Sequence, residues 1–197
     1  MKKYFLIISC LVITRAGNVL SQSDTSYTIE LTLAAFPTFS YFEGERYPGA
    51  PNNISLGYGS IARAMWHPGK MVAFGIMSGY IFLAEDEFEV NSIYKDNTEY
   101  ARARLDAVPL QIVVSMQKGG VEVGLGMGPY ILYTTIDYGS ISKGRRFELG
   151  LTLYGVYNFR IDENIYLGPE LRLLYLSYRG IISFMPSISL RCQLWSY

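Results

Sequence analysis

The chain has 197 residues, enough for one domain with a sizeable core and hardly for two. Half of the residues are apolar or aromatic and 17% are charged, compared with about 25% in soluble domains. This composition argues against disorder and against an ordinary water-exposed surface. Lysine plus arginine equals aspartate plus glutamate, at 17 each, so no overall basic field is available for nucleic acid.

Residues 1–21 have the features of an export signal. Two lysines open the segment, residues 4–13 form an apolar run, and short side chains precede a predicted cleavage after Ser21. The run is too short to cross a bilayer as a helix, which needs about 20 residues. A lipoprotein interpretation based on Cys10 is disfavoured, because almost no apolar segment precedes that cysteine. The predicted mature domain comprises residues 22–197.

The predicted mature chain needs a source of stability other than a disulfide. Removing the export signal removes Lys2, Lys3 and Arg15, which leaves 17 − 3 = 14 basic and 17 acidic residues and a net charge of −3. Only one cysteine remains, Cys192, so no intramolecular disulfide can form. A closed, hydrogen-bonded barrel in lipid provides the required stability.

Apolar and polar side chains alternate with a period of two in eight segments, and none of these segments has a helical period. The fifth segment is the clearest: apolar side chains occupy odd positions from Val121 to Tyr133, and Glu122 and three glycines occupy even positions. Such alternation is typical of strands with two different faces. The eight segments predict an all-β fold, an eight-stranded antiparallel up-and-down barrel.

The fourth segment, roughly residues 101–116, is irregular. Arg102, Arg104 and Asp106 share parity with apolar residues further along the segment. We therefore expect the face to switch at a bulge near residues 108–109. Four prolines lie inside proposed strands, where each removes a backbone N–H donor from the hydrogen-bond ladder. Local bulges would accommodate them: Pro109, Pro129, Pro169 and Pro186.

The connections between segments alternate in length. Tight turns lie at residues 67–70, 117–120 and 161–164, and longer polar links lie near residues 37–52, 84–100, 135–145 and 178–182. Short turns at one rim and long loops at the other are typical of bacterial outer-membrane barrels, in which the short turns are periplasmic. An even number of strands also places both termini on the periplasmic side.

The distribution of charge favours a transmembrane barrel over a soluble lipocalin-like barrel. Seven of the eight segments have no charged side chain on the apolar face. A lipid-facing arginine or lysine at mid-depth costs about 2–4 kcal/mol, so a bilayer requires such a face. The opposite face carries charges of both signs, which we expect to pair and plug the lumen: Glu30, Arg63, Glu122, Glu148, Glu170, Arg172 and Arg191. A narrow ion path lined by the same residues is the alternative.

The export signal, the alternating strands, the turn at residues 66–69 and the stretch at residues 126–130 resemble the small outer-membrane barrels of Gram-negative bacteria, the OmpA and OmpX type. The resemblance implies a monomer in outer-membrane lipid that is recognised by the barrel-assembly machinery through a terminal aromatic residue. Tyr197 and Trp195 match that pattern, whereas Gln193 breaks its phase. Either a bulge lies near Leu194 or the recognition differs in detail.

Some barrels of this size resemble lipid A-modifying enzymes, acyltransferases or deacylases, whose sites combine a histidine with a serine and an acid. The sole histidine, His67, falls in a predicted periplasmic turn at the wrong rim, where we expect a solvated side chain. No set of histidines and cysteines is available to bind zinc. We therefore predict no catalytic residue, no cofactor and no metal.

The loops carry the remaining candidates for interaction. These are an acidic run with Glu85, Asp86 and Glu87 and a basic run with Lys143, Arg145 and Arg146. In one interpretation both runs are simply exposed to water. In the other, the basic run binds the phosphate groups of lipopolysaccharide. Residues 87–90 also alternate, so the third and fourth strands are expected to protrude and offer an edge for adhesion.

The sequence thus predicts a non-enzymatic outer-membrane barrel that serves envelope integrity or surface interaction through its extracellular loops. A lipid A-modifying enzyme and an accessory component of a secretion or assembly machine remain the functional alternatives. A general porin is disfavoured, because wide channels need about 16–18 strands.

Overall fold

The computed structural model describes residues 27–43, 53–69, 71–91, 98–138, 140–177 and 180–196. The predicted export signal lies outside these residues. No helix in the described part of the chain is long and apolar enough to cross a membrane. The described residues form the strands β1 (Thr28–Phe42), β2 (Ile54–His67), β3 (Val72–Asn91), β4 (Thr98–Lys118), β5 (Val121–Tyr138), β6 (Ser140–Tyr157), β7 (Phe159–Asp162), β8 (Ile165–Leu176) and β9 (Ile181–Ser196).

The strands close into one antiparallel barrel. Consecutive strands pair from β1 to β6, both β6 and β7 pair with β8, and β9 pairs with β8 and with β1. β6 and β7 pair with β8 in the same register: Val156 of β6 lies opposite Glu170, and Phe159 of β7 lies opposite Leu167. They are therefore a single barrel strand that is interrupted opposite Pro169. The predicted eight-stranded antiparallel up-and-down barrel is confirmed.

The two rims of the barrel differ in their connections. Gly119 and Gly120 both have positive φ, 59° and 86°, as the two central residues of a tight hairpin turn require. This turn lies at the same rim as Thr28, which pairs with His67 of β2 and with Ser196 of β9. We call this rim the short-turn rim. The opposite rim, where β3 connects to β4 and β5 connects to β6, is called the hairpin rim.

The apolar face of each strand points outward and the polar face points into the lumen. Leu125 and Leu151 are 51% and 43% exposed, whereas Glu122 and Arg172 are each 2% exposed. Burial alternates residue by residue along β1, β2, β6 and β8 as well. The predicted orientation of the two faces is therefore correct.

Two of the links predicted as loops, near residues 84–100 and 135–145, are largely strand, and these predictions were wrong. β3 and β4 extend through most of residues 84–100, and β5 and β6 are separated by residue 139 alone. In the link near residues 37–52, residues 37–42 are strand and most of the remainder lies outside the described residues.

The polar composition of these stretches was interpreted as loop. On β6 every side chain from Ser140 to Phe147 is exposed, so the alternation that marks a strand is absent there. On β3 and β4 the inner face is buried at small side chains, Ala84, Ala101 and Ala103.

The predicted bulge near residues 108–109 is also wrong. β4 keeps one register with β5 on both sides of Pro109, and the register shift between β3 and β4 lies at Leu83, the extra residue between Phe82 and Ala84. The charged residues of β4 therefore stay on the outer face. Some backbone pairs are missing next to Pro109, but the register of β4 with β5 does not change.

The C-terminal strand has the bulge that the sequence left open. Ile29 lies opposite Trp195 and Glu30 lies opposite Gln193, so Leu194 is the extra residue of β9. The bulge lets Leu194 and Trp195 both remain exposed. It thereby reconciles the outward-facing aromatic end with the lumenal Arg191.

Candidate functional site

Six of the seven charged residues predicted to face the lumen meet in its half near the short-turn rim. Three carboxylates lie among three guanidinium groups, and all six side chains are buried: Glu30, Glu122, Glu170, Arg63, Arg172 and Arg191. We call this set the ionic cluster. Its formal charges balance, which is the condition under which buried charges are tolerated.

Arg63 lies at the centre of the ionic cluster. Its guanidinium nitrogen is 3.9 Å from a carboxylate oxygen of Glu122 and 3.5 Å from one of Glu170, which also pairs with Arg172. The guanidinium carbon is 3.9 Å from the centroid of the Tyr154 ring. Charge pairs on two sides and an aromatic face on a third hold this side chain across the lumen.

Arg191 joins the cluster to the short-turn rim. Its Nη1 lies 3.3 Å from carboxylate oxygens of both Glu30 and Glu122, and it donates a 2.9 Å hydrogen bond to the side chain of Gln117. Because Glu122 is shared between Arg191 and Arg63, the ion pairs form one continuous network.

His67 does not lie in solvent, so the prediction of a solvated turn residue was wrong. It is the last residue of β2, faces the lumen, and its Nε2 is 2.9 Å from a carboxylate oxygen of Glu30. Its parity along β2 is that of Arg63, and this was the signal that sequence reasoning overlooked. The position lies at the opposite end of the barrel from the hairpins.

Glu148 is the predicted lumenal charge that the structure does not bring into the cluster. It lies near the hairpin rim, where it pairs with Arg146 and accepts a 3.5 Å hydrogen bond from Ser177. The basic run is consequently divided, because Arg146 has the inward parity of Glu148 whereas Lys143 and Arg145 have the outward parity of Phe147.

An apolar layer fills the lumen between the ionic cluster and the hairpin rim. It consists of buried apolar side chains from β1–β5, β8 and β9, among them Phe42, Ile61, Ile81, Leu105, Leu132, Leu174, Leu176 and Ile181. The alternation in the sequence predicts mostly polar and small side chains inside and does not reveal this layer. A layer of packed apolar side chains excludes water and ions from the interior.

Four consecutive strands project beyond the rest of the barrel at the hairpin rim. β3 and β4 have 20 and 21 residues and β5 and β6 have 18 each, compared with 12 for β8 and 14 for β2. We call the part of β3–β6 beyond the barrel the projecting sheet. Among the described residues, β2 pairs with β3 only as far as Phe82, so β3 is an edge strand from Ala84 onward.

Ion pairs stabilise the outer face of the projecting sheet. Arg102 of β4 lies 2.9 Å from Glu85 and 2.8 Å from Glu87, both on β3. A hydrogen bond to Glu87 and the charge of Glu85 raise the pKa of Arg102 above its ordinary value. Asp86 belongs to the same strand and lies opposite Ala103. Two acids of the predicted acidic run are therefore already paired within the sheet.

Two further groups occupy the outer face where the projecting sheet begins. Arg104 pairs with Asp106, with a nitrogen–oxygen distance of 3.0 Å, and lies 5.0 Å from the centroid of the Phe82 ring. On β6, the guanidinium of Arg145 lies 4.8 Å from the centroid of the Phe147 ring. In the described part of the chain, no group of three histidine, cysteine, aspartate or glutamate side chains is placed to bind a metal.

No protein-family model and no curated protein matches this sequence. The fold, by contrast, is similar to solved structures. Neisserial surface protein A (NspA) aligns with a TM-score of 0.53 at 12% identity, over 87% of this chain and 100% of that protein. The attachment invasion locus protein Ail of Yersinia pestis aligns with a TM-score of 0.48 at 9% identity, over 85% of this chain and 98% of Ail.

At such identities the likeness is one of fold. It agrees with the exposed apolar band, the buried ionic cluster and the closed ring of strands described above. The chain has the fold of the small eight-stranded transmembrane barrels of the bacterial outer membrane, the OmpA and OmpX type.

Proposed function

We propose that the protein is a closed, non-enzymatic barrel of the bacterial outer membrane that attaches to other macromolecules through its projecting sheet. The edge of β3 that faces away from β4 in the projecting sheet carries this proposal. From Ala84 to Asn91, this strand hydrogen-bonds to β4 on one side and to no other described strand. An open strand edge pairs readily with an extended segment of another chain.

The interior supports a structural role for the barrel itself. The ionic cluster and the apolar layer occupy the lumen in succession. Packed apolar side chains oppose the entry of water, which favours a plugged barrel over a porin. The sole histidine is buried against Glu30, far from the hairpins where a lipid-modifying site would lie. The hairpin rim is therefore the part of the molecule that we expect to contact other macromolecules.

The orientation follows from the rims. β1 begins and β9 ends at the short-turn rim, and a chain delivered by an export signal begins and ends in the periplasm. We therefore place the short-turn rim in the periplasm and the projecting sheet outside the cell. Protease added to intact cells should cut within residues 84–105 and leave a C-terminal epitope intact.

The partner that fits the β3 edge is an extended segment with basic side chains. Glu85 and Glu87 lie on the outer face of this edge and share one cation, Arg102, so the two carboxylates keep a net negative charge. A strand added on the free side would bring alternate side chains next to these carboxylates, at the spacing of cross-strand pairs.

A lysine–valine octapeptide of alternating sequence is a suitable probe for strand addition. The protein in lipid nanodiscs should bind it, and a variant trimmed of residues 86–98 should not, although both show the same heat-modifiable gel migration. An N-methylated form of the peptide, which cannot complete a ladder, is the matched control and should not bind. Equal binding by the trimmed protein, or by the N-methylated peptide, would contradict the proposal.

A further inference from the structure

The outer face of β6 shows where the hydrocarbon layer ends. From Phe147 to Tyr157 this face has no charged side chain, over 11 positions. A tilted transmembrane strand needs about 9–11 residues to cross the hydrocarbon core. Phe147 and Leu149, which are 61% and 68% exposed, are the last two outward side chains of this uncharged stretch on the side of the hairpin rim. Arg145 is the next outward residue and lies at the level of the lipid headgroups.

An aromatic surface holds the Arg145 guanidinium at this level. Its central carbon lies 4.8 Å from the centroid of the Phe147 ring and 6.0 Å from that of Tyr133 on β5. Stacking engages the flat faces of a guanidinium and leaves its N–H edges available. Those edges match the oxygens of a phosphate group, which arginine can bind through two parallel hydrogen bonds.

Lys143 adds a second positive charge to the same face. It precedes Arg145 by two residues on β6, on the side away from the apolar band, and lies opposite Thr135 of β5. Residues two positions apart on a strand lie on one face, separated by roughly 7 Å. The two side chains therefore form a short basic row directly above the apolar band.

This row is not neutralised within the projecting sheet. In the part of the sheet whose side chains are described, neither Lys143 nor Arg145 has an acidic partner within ion-pair distance. The other three arginines there do have one: Arg102 pairs with Glu85 and Glu87, Arg104 with Asp106, and Arg146 with Glu148. The field of the row is thus directed at whatever lies beside the barrel wall.

We propose that Lys143 and Arg145 bind the phosphate groups of lipid A in the outer leaflet. The position of the row favours a lipid over a soluble anion, because the acyl chains of the same molecule would lie on Phe147 and Leu149. This inference rests on the outer-membrane location proposed above and is independent of strand addition at the β3 edge, which lies on the far side of the projecting sheet.

The test is a titration of the purified protein in detergent micelles with diphosphoryl lipid A. We expect the double variant Lys143→Gln/Arg145→Gln to bind it about thirtyfold more weakly, since each basic side chain at a membrane surface contributes about a fivefold gain. The wild type should bind fully dephosphorylated lipid A, with the same acyl chains, equally weakly. That second comparison needs no variant and stands even if a substitution disturbs folding.

Arg146→Gln is the matched control, because it removes a neighbouring charge that faces the other way and is paired with Glu148. It should bind diphosphoryl lipid A as the wild type does. Unchanged binding by the double variant, equal binding of dephosphorylated lipid A, or an equal loss in Arg146→Gln would overturn the proposal. Competition by inositol hexakisphosphate at a matched phosphate concentration would also overturn it, by identifying a site for soluble anions.

Discussion

At the scale of single residues, buried charge in this barrel is tolerated because it is shared. Glu122 serves both Arg63 and Arg191, and Glu170 serves both Arg63 and Arg172. Loss of one member therefore affects more than one pair. Exposed pairs such as that of Arg102 with Glu87 differ, since water compensates each partner when the other is removed.

Replacing Arg63 should be the most destabilising charge deletion in the lumen. Arg63→Ala leaves Glu122 and Glu170 with one cation fewer in a buried site, so we expect a loss of about 3–5 kcal/mol in the free energy of unfolding. Arg102→Ala removes an exposed ion pair and should destabilise the protein far less. Urea unfolding in lipid vesicles measures both, and equal losses would show that the ionic cluster contributes no more than a surface pair.

At the scale of strands, the sequence predicts a face more reliably than a length. Along β5, alternation from Val121 to Tyr133 correctly identified the outward side, because a bilayer admits only apolar side chains there. The lumen has no such rule: Leu174 and Leu176 point inward although Leu171 and Leu173 of the same strand point outward. In such a run of consecutive apolar residues, the sequence does not show which side chains face the lumen.

The sequence of the projecting sheet predicts loops for a related reason. On β6 the side chains of both faces are exposed from Ser140 to Phe147, so the alternation that marks a strand disappears while the backbone pairing continues. On β3 and β4 the inner face is buried at small alanines, Ala84, Ala101 and Ala103, which give only a weak apolar signal. The bulge at Leu83 was equally invisible, because it lies within the apolar run from Tyr80 to Ala84, where one extra residue leaves no trace in the pattern. Only the cross-strand register reveals it.

Deleting Leu83 tests what the bulge does. A one-residue slip turns the following side chains to the other face, so Glu85 and Glu87 would leave the side of the sheet that carries Arg102. We expect trypsin to cut faster at Arg102 and Arg104 in this variant, while the barrel strands remain protected. Deleting Asp96, which lies between β3 and β4 and changes neither register, is the control. Identical cleavage rates in the two deletions would contradict the role assigned to the bulge.

At the scale of the whole molecule, the lumen has two successive barriers. The ionic cluster lies near the short-turn rim and the apolar layer near the hairpin rim. We therefore expect neither the wild type nor Arg63→Ala to give conductance steps in a planar lipid bilayer. Steps in the wild type would show that the lumen is open, and steps in Arg63→Ala alone would show that the ionic cluster is the only barrier.

The central claim is that the apolar face of each strand meets acyl chains and the ionic face is sealed inside. Quenching of tryptophan by lipids with brominated acyl chains measures this directly, in a background where Trp66 and Trp195 are replaced by phenylalanine. A tryptophan at position 125, in Leu125→Trp, should be strongly quenched, and one at position 154, in Tyr154→Trp, should not. Strong quenching at position 154 with none at position 125 would contradict the account.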